Sequence, residues 1–596
     1  MSAGLDRLLP RPRTLVEDQG VLQLDADRPL TCACPLAWQQ ALARFLPGLP
    51  LEASAPGDSL LRVSVEPELH GMQVQVAADG VRVQTAPGLL FASAATVAQL
   101  LRLAEGGRMP CCRIEDFPAI ERRGYMLDVS RDRVPTMDEL RALIDLLGSL
   151  KYDHLQLYVE HTFAYAGHEQ VWAEASPLTP AEVRELDAWA AGVGVELAAN
   201  QNCFGHMHRW LTLPRYAPLA ECPEGIEHAF SVAKEPFSLC PQDPGSLALV
   251  EDLLDQLMPC FQSPVVNVGL DETFDLGLGR SRDACEERGK GVVYLEYLTD
   301  IHRRVTERGG RTQFWGDIIV QHPELVPRLP RDATALEWGY EAGHPFQEHA
   351  ALFAASGLPF WVVPGTSTWQ SMLGRVDNME ANVREAVRAA VDHGARGMLM
   401  TDWGDFGHWQ PPCTAWPGIV AAAAEAWNPG TMPRDLAAAI DWLVPAAQGA
   451  GAGIVALGHT HRALGSPSVN GTAAFFHLRY AHAAEVERAP ELSVEGCDAH
   501  GDALDDALAL VPERGPCRTE LEAAAAIARF GTSLARARLQ ADMAALEDLP
   551  SAVRSDLRSA AVDAATRHRH AWLIRSRPGG LRESAGRLEA LAHRLA

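Results

Sequence analysis

The 596-residue chain contains no apolar run of bilayer length. Its longest suspect, 418–427, is too short to span and carries Glu425. There is no Cys-x-x-Cys pair among its 12 cysteines, which excludes a usual zinc knuckle. Scattered thiols of this kind read as reduced and mostly buried. Positive charge is also scarce. Lys+Arg number 52 against 77 Asp+Glu, a net charge of −25, which argues against a nucleic-acid partner. No internal repeat stands outside a central strand–helix alternation, and no low-complexity tail is present. Near the N-terminus, Arg7, Arg11 and Arg13 interrupt the chain before an apolar signal core forms. The expectation is a cytoplasmic protein with no membrane partner. What is present is ordinary globular material, 47% hydrophobic and 22% charged.

Residues 60–67 and 72–86 alternate with period two, the second stretch being split by Ala-Asp-Gly, a hairpin signal. A helix follows, with Ser93 as its expected N-cap. Residues 110–118, holding Cys111 and Cys112, read as a linker. Beyond Ile120, eight β-rich runs alternate with amphipathic helical runs. The strands are expected at 123–129, 154–160, 195–200, 265–270, 312–317, 333–338, 360–364 and 397–403. Thr136 with Glu139, and Thr179 with Glu182, have capping-box spacing. A further helix is expected to begin at Asn378, and 205–245 reads as a long loop. Eight βα alternations predict an α/β fold, a (β/α)8 TIM barrel. After about residue 440 only helical periodicity remains. The expected domains are an N-terminal α+β domain (1–112), a catalytic barrel (113–435) and a C-terminal helical domain (436–596). The last is expected to serve packing or a homodimer contact rather than chemistry.

In such barrels the chemistry sits at the C-terminal strand ends. These positions carry Arg131, Glu160, Asp271, Glu272, Trp315, Trp338, Tyr340, Trp369, Trp403 and Asp405, with His206 in the loop after strand three. Carboxylates supply acid and base, and indole faces stack on the apolar faces of sugars. The combination points to a carbohydrate. The most specific segment is VVNVGLDETF (265–274), an apolar run ending in two adjacent carboxylates. Neighbours on a strand face opposite ways, so Asp271 and Glu272 do not readily flank one bond as acid and nucleophile. If Glu272 is the acid, Asp271 handles something beside it.

At this point the sequence resembles glycoside hydrolase family 20, the β-N-acetylhexosaminidases. The resemblance runs through 74–102, RRGYMLDVSRDRVP (122–135), CFGHMHRW (203–210), VGLDE (268–272), QFWGDII (313–319), LEWGY (336–340) and TDWGD (401–405). It implies an exo-acting, retaining enzyme without metal or other cofactor, acting on a small oligosaccharide or glycoconjugate ending in N-acetylhexosamine. The substrate's own acetamide oxygen would be the nucleophile, giving an oxazolinium. Glu272 would be acid and then base, and Asp271 would orient the acetamide. Trp315, Trp338 and Trp403 would wall the sugar, Arg131 and Asp405 would fix its hydroxyls, and His206 would tune a carboxylate. Three strand ends depart from the family pattern. Glu160 stands for an Asp on strand two. Trp369 stands for a Tyr on strand seven, with Tyr340 available to compensate. Asp405 stands for a Glu on strand eight. The alternatives are a non-catalytic sugar-binding barrel, and a metal-dependent barrel hydrolase suggested by His206-x-His208.

Overall fold

The structure is a computed structural model that describes residues 4–25, 28–228, 231, 233–483 and 486–596. Seven strands form the N-terminal sheet: β1 (Thr14–Gln23), β2 (Leu30–Ala33), β3 (Leu51–Ala53), β4 (Leu61–Val65), β5 (Met72–Ala77), β6 (Gly80–Thr85) and β7 (Arg108–Asp116). Their order is β1-β7-β5-β6-β4-β2-β3. The expected hairpin is β5–β6, closed where Ala77 faces Gly80. The following helix spans Leu90–Arg102, so Ser93 lies inside it and not at its cap. Its hydroxyl instead accepts the indole N–H of buried Trp38 at 3.0 Å.

The expected linker at 110–118 is corrected. Residues through Asp116 belong to β7, which pairs antiparallel with both β1 and β5. The end of this strand is tied to the barrel. The Asp116 carboxylate accepts from buried Lys151 at 2.9 Å and from the Trp427 indole at 2.8 Å. A buried charge requires such a partner.

The barrel closes with eight parallel strands: β8 (Arg122–Asp128), β9 (His154–Tyr158), β10 (Glu196–Asn200), β11 (Val265–Asn267), β12 (Arg311–Trp315), β13 (Thr334–Trp338), β14 (Phe360–Val363) and β15 (Gly397–Asp402). β15 returns to β8 in register from Gly397–Arg122 to Asp402–Leu127. All eight expected strands are present. β11 ends three residues early because the Asn267 side-chain carbonyl accepts the Gly269 N–H at 3.0 Å and turns the chain out of the sheet. Thr136 and Thr179 cap their helices, and Thr179 forms the full capping box with Glu182. The helix expected from Asn378 starts at Val376. The Asn378 amide donates instead to Tyr340 O (2.7 Å) and Ser367 Oγ (2.9 Å), tying two strand-end loops together.

After the barrel the chain is helical, with long helices at Pro516–Gln540, Ser551–Arg575 and Leu581–Arg594. The last of these lies over the C-terminal rim of the barrel. Glu583 pairs with Arg209, and the Ser584 carbonyl accepts the Trp409 indole N–H at 3.2 Å. No helix among the described residues is long and apolar enough to cross a membrane. All 12 cysteines are free thiols, ten of them buried.

Candidate active site

The site begins where β11 stops. Gly269, Leu270 and Glu272 all have positive φ (72°, 79° and 51°), so 268–272 is a tight turn and not a strand. A Cβ on Gly269 would lie 1.8 Å from the Asn202 side-chain oxygen, and only glycine fits there. The expectation that Asp271 and Glu272 face opposite ways is therefore corrected. Both reach one imidazole. His206 Nε2 lies 3.2 Å from Asp271 Oδ2 and 3.3 Å from Glu272 Oε2. The two carboxylates stand side by side on one wall, an arrangement unlike an acid and a nucleophile placed across a sugar.

Two groups support this wall. Burial alone would lower the His206 pKa, but Asp271 and Glu272 overrule it and push it up to about 10, so the ring is cationic at neutral pH. Asp317 accepts the Glu272 backbone N–H at 3.3 Å. Burial, and then the charges of Asp271 and Glu272, push the Asp317 pKa well above its ordinary value. Sequence reasoning placed Asp317 at a strand end without giving it a role. The Tyr294 hydroxyl donates to Leu270 O at 3.0 Å and pins the turn from outside.

Facing the carboxylates is a cavity of about 160 Å³. Trp315, Trp338, Tyr340, Trp369 and Trp403 form its aromatic walls, and Arg131 and Asp405 form its polar corner. Tyr340 stacks on Trp338 (5.1 Å, 22°) and meets Trp369 edge-on (5.0 Å, 87°). The Tyr340 oxygen accepts the Trp403 indole N–H at 2.9 Å, which fixes the hydroxyl against the aromatic wall. Trp369 is fixed as well, because its indole N–H donates to Asn470 Oδ1 at 2.9 Å.

Nine of the eleven residues expected from sequence thus line one cavity with Asp271 and Glu272 among them. The other two, Glu160 and His206, line a smaller cleft of about 60 Å³ that shares Arg131 and Asp405 with it. Glu160 stands beside the main cavity and not in its lining. It accepts the Tyr158 hydroxyl at 2.9 Å and lies 3.4 Å from Arg131 Nη2, so it orients the arginine from behind. Arg131 is further fixed by Asp128 (3.1 Å) and lies over the rings of Tyr158 and Trp403. His208 lines the same small cleft as His206, its ring parallel to Phe237, but among the described residues it is not grouped with His206, Asp271 and Glu272. The cavity also takes in Gln370, Phe406, Asn470 and Arg488, none of which the sequence pattern singled out. Asn470 and Arg488 come from the C-terminal region expected to serve packing or a homodimer contact rather than chemistry.

Residues 121–429 match the profile described as glycosyl hydrolase family 20, catalytic domain. The chain belongs to glycosyl hydrolase family 20. As a family member it is a glycoside hydrolase. Among curated relatives, Hexosaminidase D of Bos taurus is 24% identical over 309 residues, covering 48% of this chain and 86% of that one. The Homo sapiens Hexosaminidase D is 22% identical, covering 49% and 62%. Among solved structures, the Vibrio harveyi GH20 exo-β-N-acetylglucosaminidase with N-acetylglucosamine has TM-score 0.61 at 17% identity, covering 74% of this chain and 76% of that one. Flavobacterium johnsoniae chitobiase also has TM-score 0.61, at 15% identity, with 94% and 96% covered. These structural likenesses carry the fold. Asp271, Glu272 and the tryptophan-bearing strand ends lie within the family-20 match, whereas Asn470 and Arg488 lie beyond it.

Proposed function

We propose that this family-20 hydrolase is an exo-acting, retaining β-N-acetylhexosaminidase that removes terminal β-linked N-acetylhexosamine by substrate-assisted catalysis. The observation that carries the reading is the pair of adjacent carboxylates sharing one imidazole on a single wall of an aromatic cavity. With both carboxylates on one side, the nucleophile on the other face of the anomeric carbon is the sugar's own acetamide oxygen. Glu272 enters the step as the protonated member of the pair and gives that proton to the leaving glycosidic oxygen while the acetamide oxygen attacks C1. Asp271 accepts from the acetamide N–H and offsets the positive charge that develops on it. The Tyr340 hydroxyl, in the same cavity, suits the acetamide oxygen, and the indoles enclose the methyl group and the sugar face. Glu272, now a base, takes a proton from the water that opens the oxazolinium. Arg131 and Asp405 hold ring hydroxyls. Twelve free thiols, mostly buried, fit work in the reducing cytoplasm on small oligosaccharides.

The test is a pair of aryl glycosides. The N-acetyl-β-glucosaminide is expected to release its aryl alcohol and the plain β-glucoside to release almost none. Equal cleavage of both would defeat the mechanism.

A pH effect follows from Asp405. Burial raises its pKa, Arg131 opposes the rise, and the balance lies at about 6. The group is ionised and accepts hydroxyls above that pH, and is protonated below it. On the acid side, kcat/KM is therefore expected to fall through about pH 6. Asp405→Asn should be slower throughout and lack this limb. An unchanged limb in the variant would assign it to another group.

A further inference from the structure

The family match ends at residue 429, yet the wall of the cavity does not. The segment 466–472 crosses the barrel rim and is bonded to it at four places. The Trp369 indole N–H donates to Asn470 Oδ1 (2.9 Å), and the Asn470 backbone N–H donates to Glu341 Oε1 (2.8 Å). Thr472 N–H donates to Gln370 O (2.9 Å), and Arg375 Nη1 donates to Ser468 O (3.4 Å). Arg375, itself only 5% exposed, also pairs with Glu341 at 3.0 Å. The fit is close. A Cβ on Gly471 would lie 2.8 Å from Gln370 O. Asn470 has φ +54°, a conformation that asparagine tolerates better than most residues.

We infer that Asn470, in the C-terminal domain, is a positioning residue of the active site, acting through Trp369 and then Tyr340 to set the depth of the pocket for the sugar's acyl group. This rests on the hydrolase reading. The coupling is mechanical. Trp369 lies edge-on to Tyr340, so an indole fixed by Asn470 fixes the tyrosine ring stacked on Trp338. A Cβ on Gly365 would lie 2.5 Å from Trp369 and 2.9 Å from Tyr340, so neither ring can retreat in that direction. The Asn470 bond opposes rotation of the indole. The C-terminal domain is then part of the catalytic unit.

The test uses the full chain and two variants chosen by backbone. Asn470→Gly keeps the left-handed conformation and deletes the acceptor. Asn470→Asp keeps both. The expected result is that Asn470→Gly lowers kcat/KM on the aryl N-acetyl-β-glucosaminide about 10-fold, mostly through KM, with melting temperature unchanged. Its relative rate on the N-butyryl analogue should rise, and Asn470→Asp should restore both properties. Wild-type kcat/KM and wild-type acyl preference in Asn470→Gly would overturn the proposal. A lower kcat/KM with unchanged acyl preference would also overturn it. A readout independent of turnover is the indole N–H resonance of Trp369, identified by its loss in Trp369→Phe. Its hydrogen exchange should be slow in the wild type and in Asn470→Asp, and fast in Asn470→Gly. If the wild type fails to cleave the N-acetyl substrate, the hydrolase reading fails, while equal exchange in all three proteins would sink the Asn470 assignment alone.

Discussion

Glu272→Gln is expected to lower kcat on an alkyl N-acetyl-β-glucosaminide by about 10³-fold, roughly 4 kcal/mol of barrier. The amide keeps the shape of the side chain and its place beside His206, but it can neither give a proton to the leaving oxygen nor take one from water. The loss should depend on the leaving group. An acidic phenol departs without help, so the first step recovers and the second step, activation of water, becomes limiting. Binding of N-acetylglucosamine should persist, because the indoles, Arg131 and Asp405 are untouched. A variant with wild-type turnover would remove Glu272 from the chemistry and leave a sugar-binding barrel.

The second large effect is at Asp271. Asp271→Asn keeps an oxygen that can accept from the acetamide N–H, so its cost isolates the charge. A loss of about 10² to 10³-fold in kcat is expected, comparable to removing one preorganised electrostatic contact at a reacting centre. A thiazoline analogue of the oxazolinium should bind the wild type far more tightly than N-acetylglucosamine, and that margin should shrink in the variant. Equal affinity of the thiazoline for both proteins would show that Asp271 does not sense the developing cation. The loss should also exceed that from any single aromatic wall residue, since Asp271 is only 6% exposed and little water can replace its charge.

The barrel was legible because parallel strands buried on both faces read as short apolar runs, and each ends abruptly in polar or aromatic residues. The catalytic wall was legible as LDE after such a run. Its geometry was not. Strand alternation extrapolates through Leu270, but Asn267 ends the strand and three positive-φ residues bring both carboxylates to His206. The linker at 110–118 misled because Pro110 and the paired cysteines mask a strand whose partners lie some way off in sequence. Glu160 was visible as a strand-end acid, yet it reaches the cavity only through Arg131, the arginine of its polar corner. Asn470 stands 101 residues from Trp369, and Asn-Gly in isolation reads only as a turn. The upward shift of the Asp317 pKa likewise comes first from burial and then from two carboxylates of another strand end, which no local pattern reports.

The central claim is that the acetamide oxygen of the substrate attacks the anomeric carbon. Its most direct measurement is kcat/KM across aryl glucosaminides carrying N-acetyl, N-fluoroacetyl, N-difluoroacetyl and N-trifluoroacetyl groups. Each fluorine withdraws electrons from the carbonyl while changing its size little. Attack by the acetamide predicts a steep, monotonic fall in log kcat/KM along the series, steeper than any change in binding of the corresponding free sugars. A flat series would mean that another group performs the attack, and would contradict the roles assigned to Asp271 and Glu272.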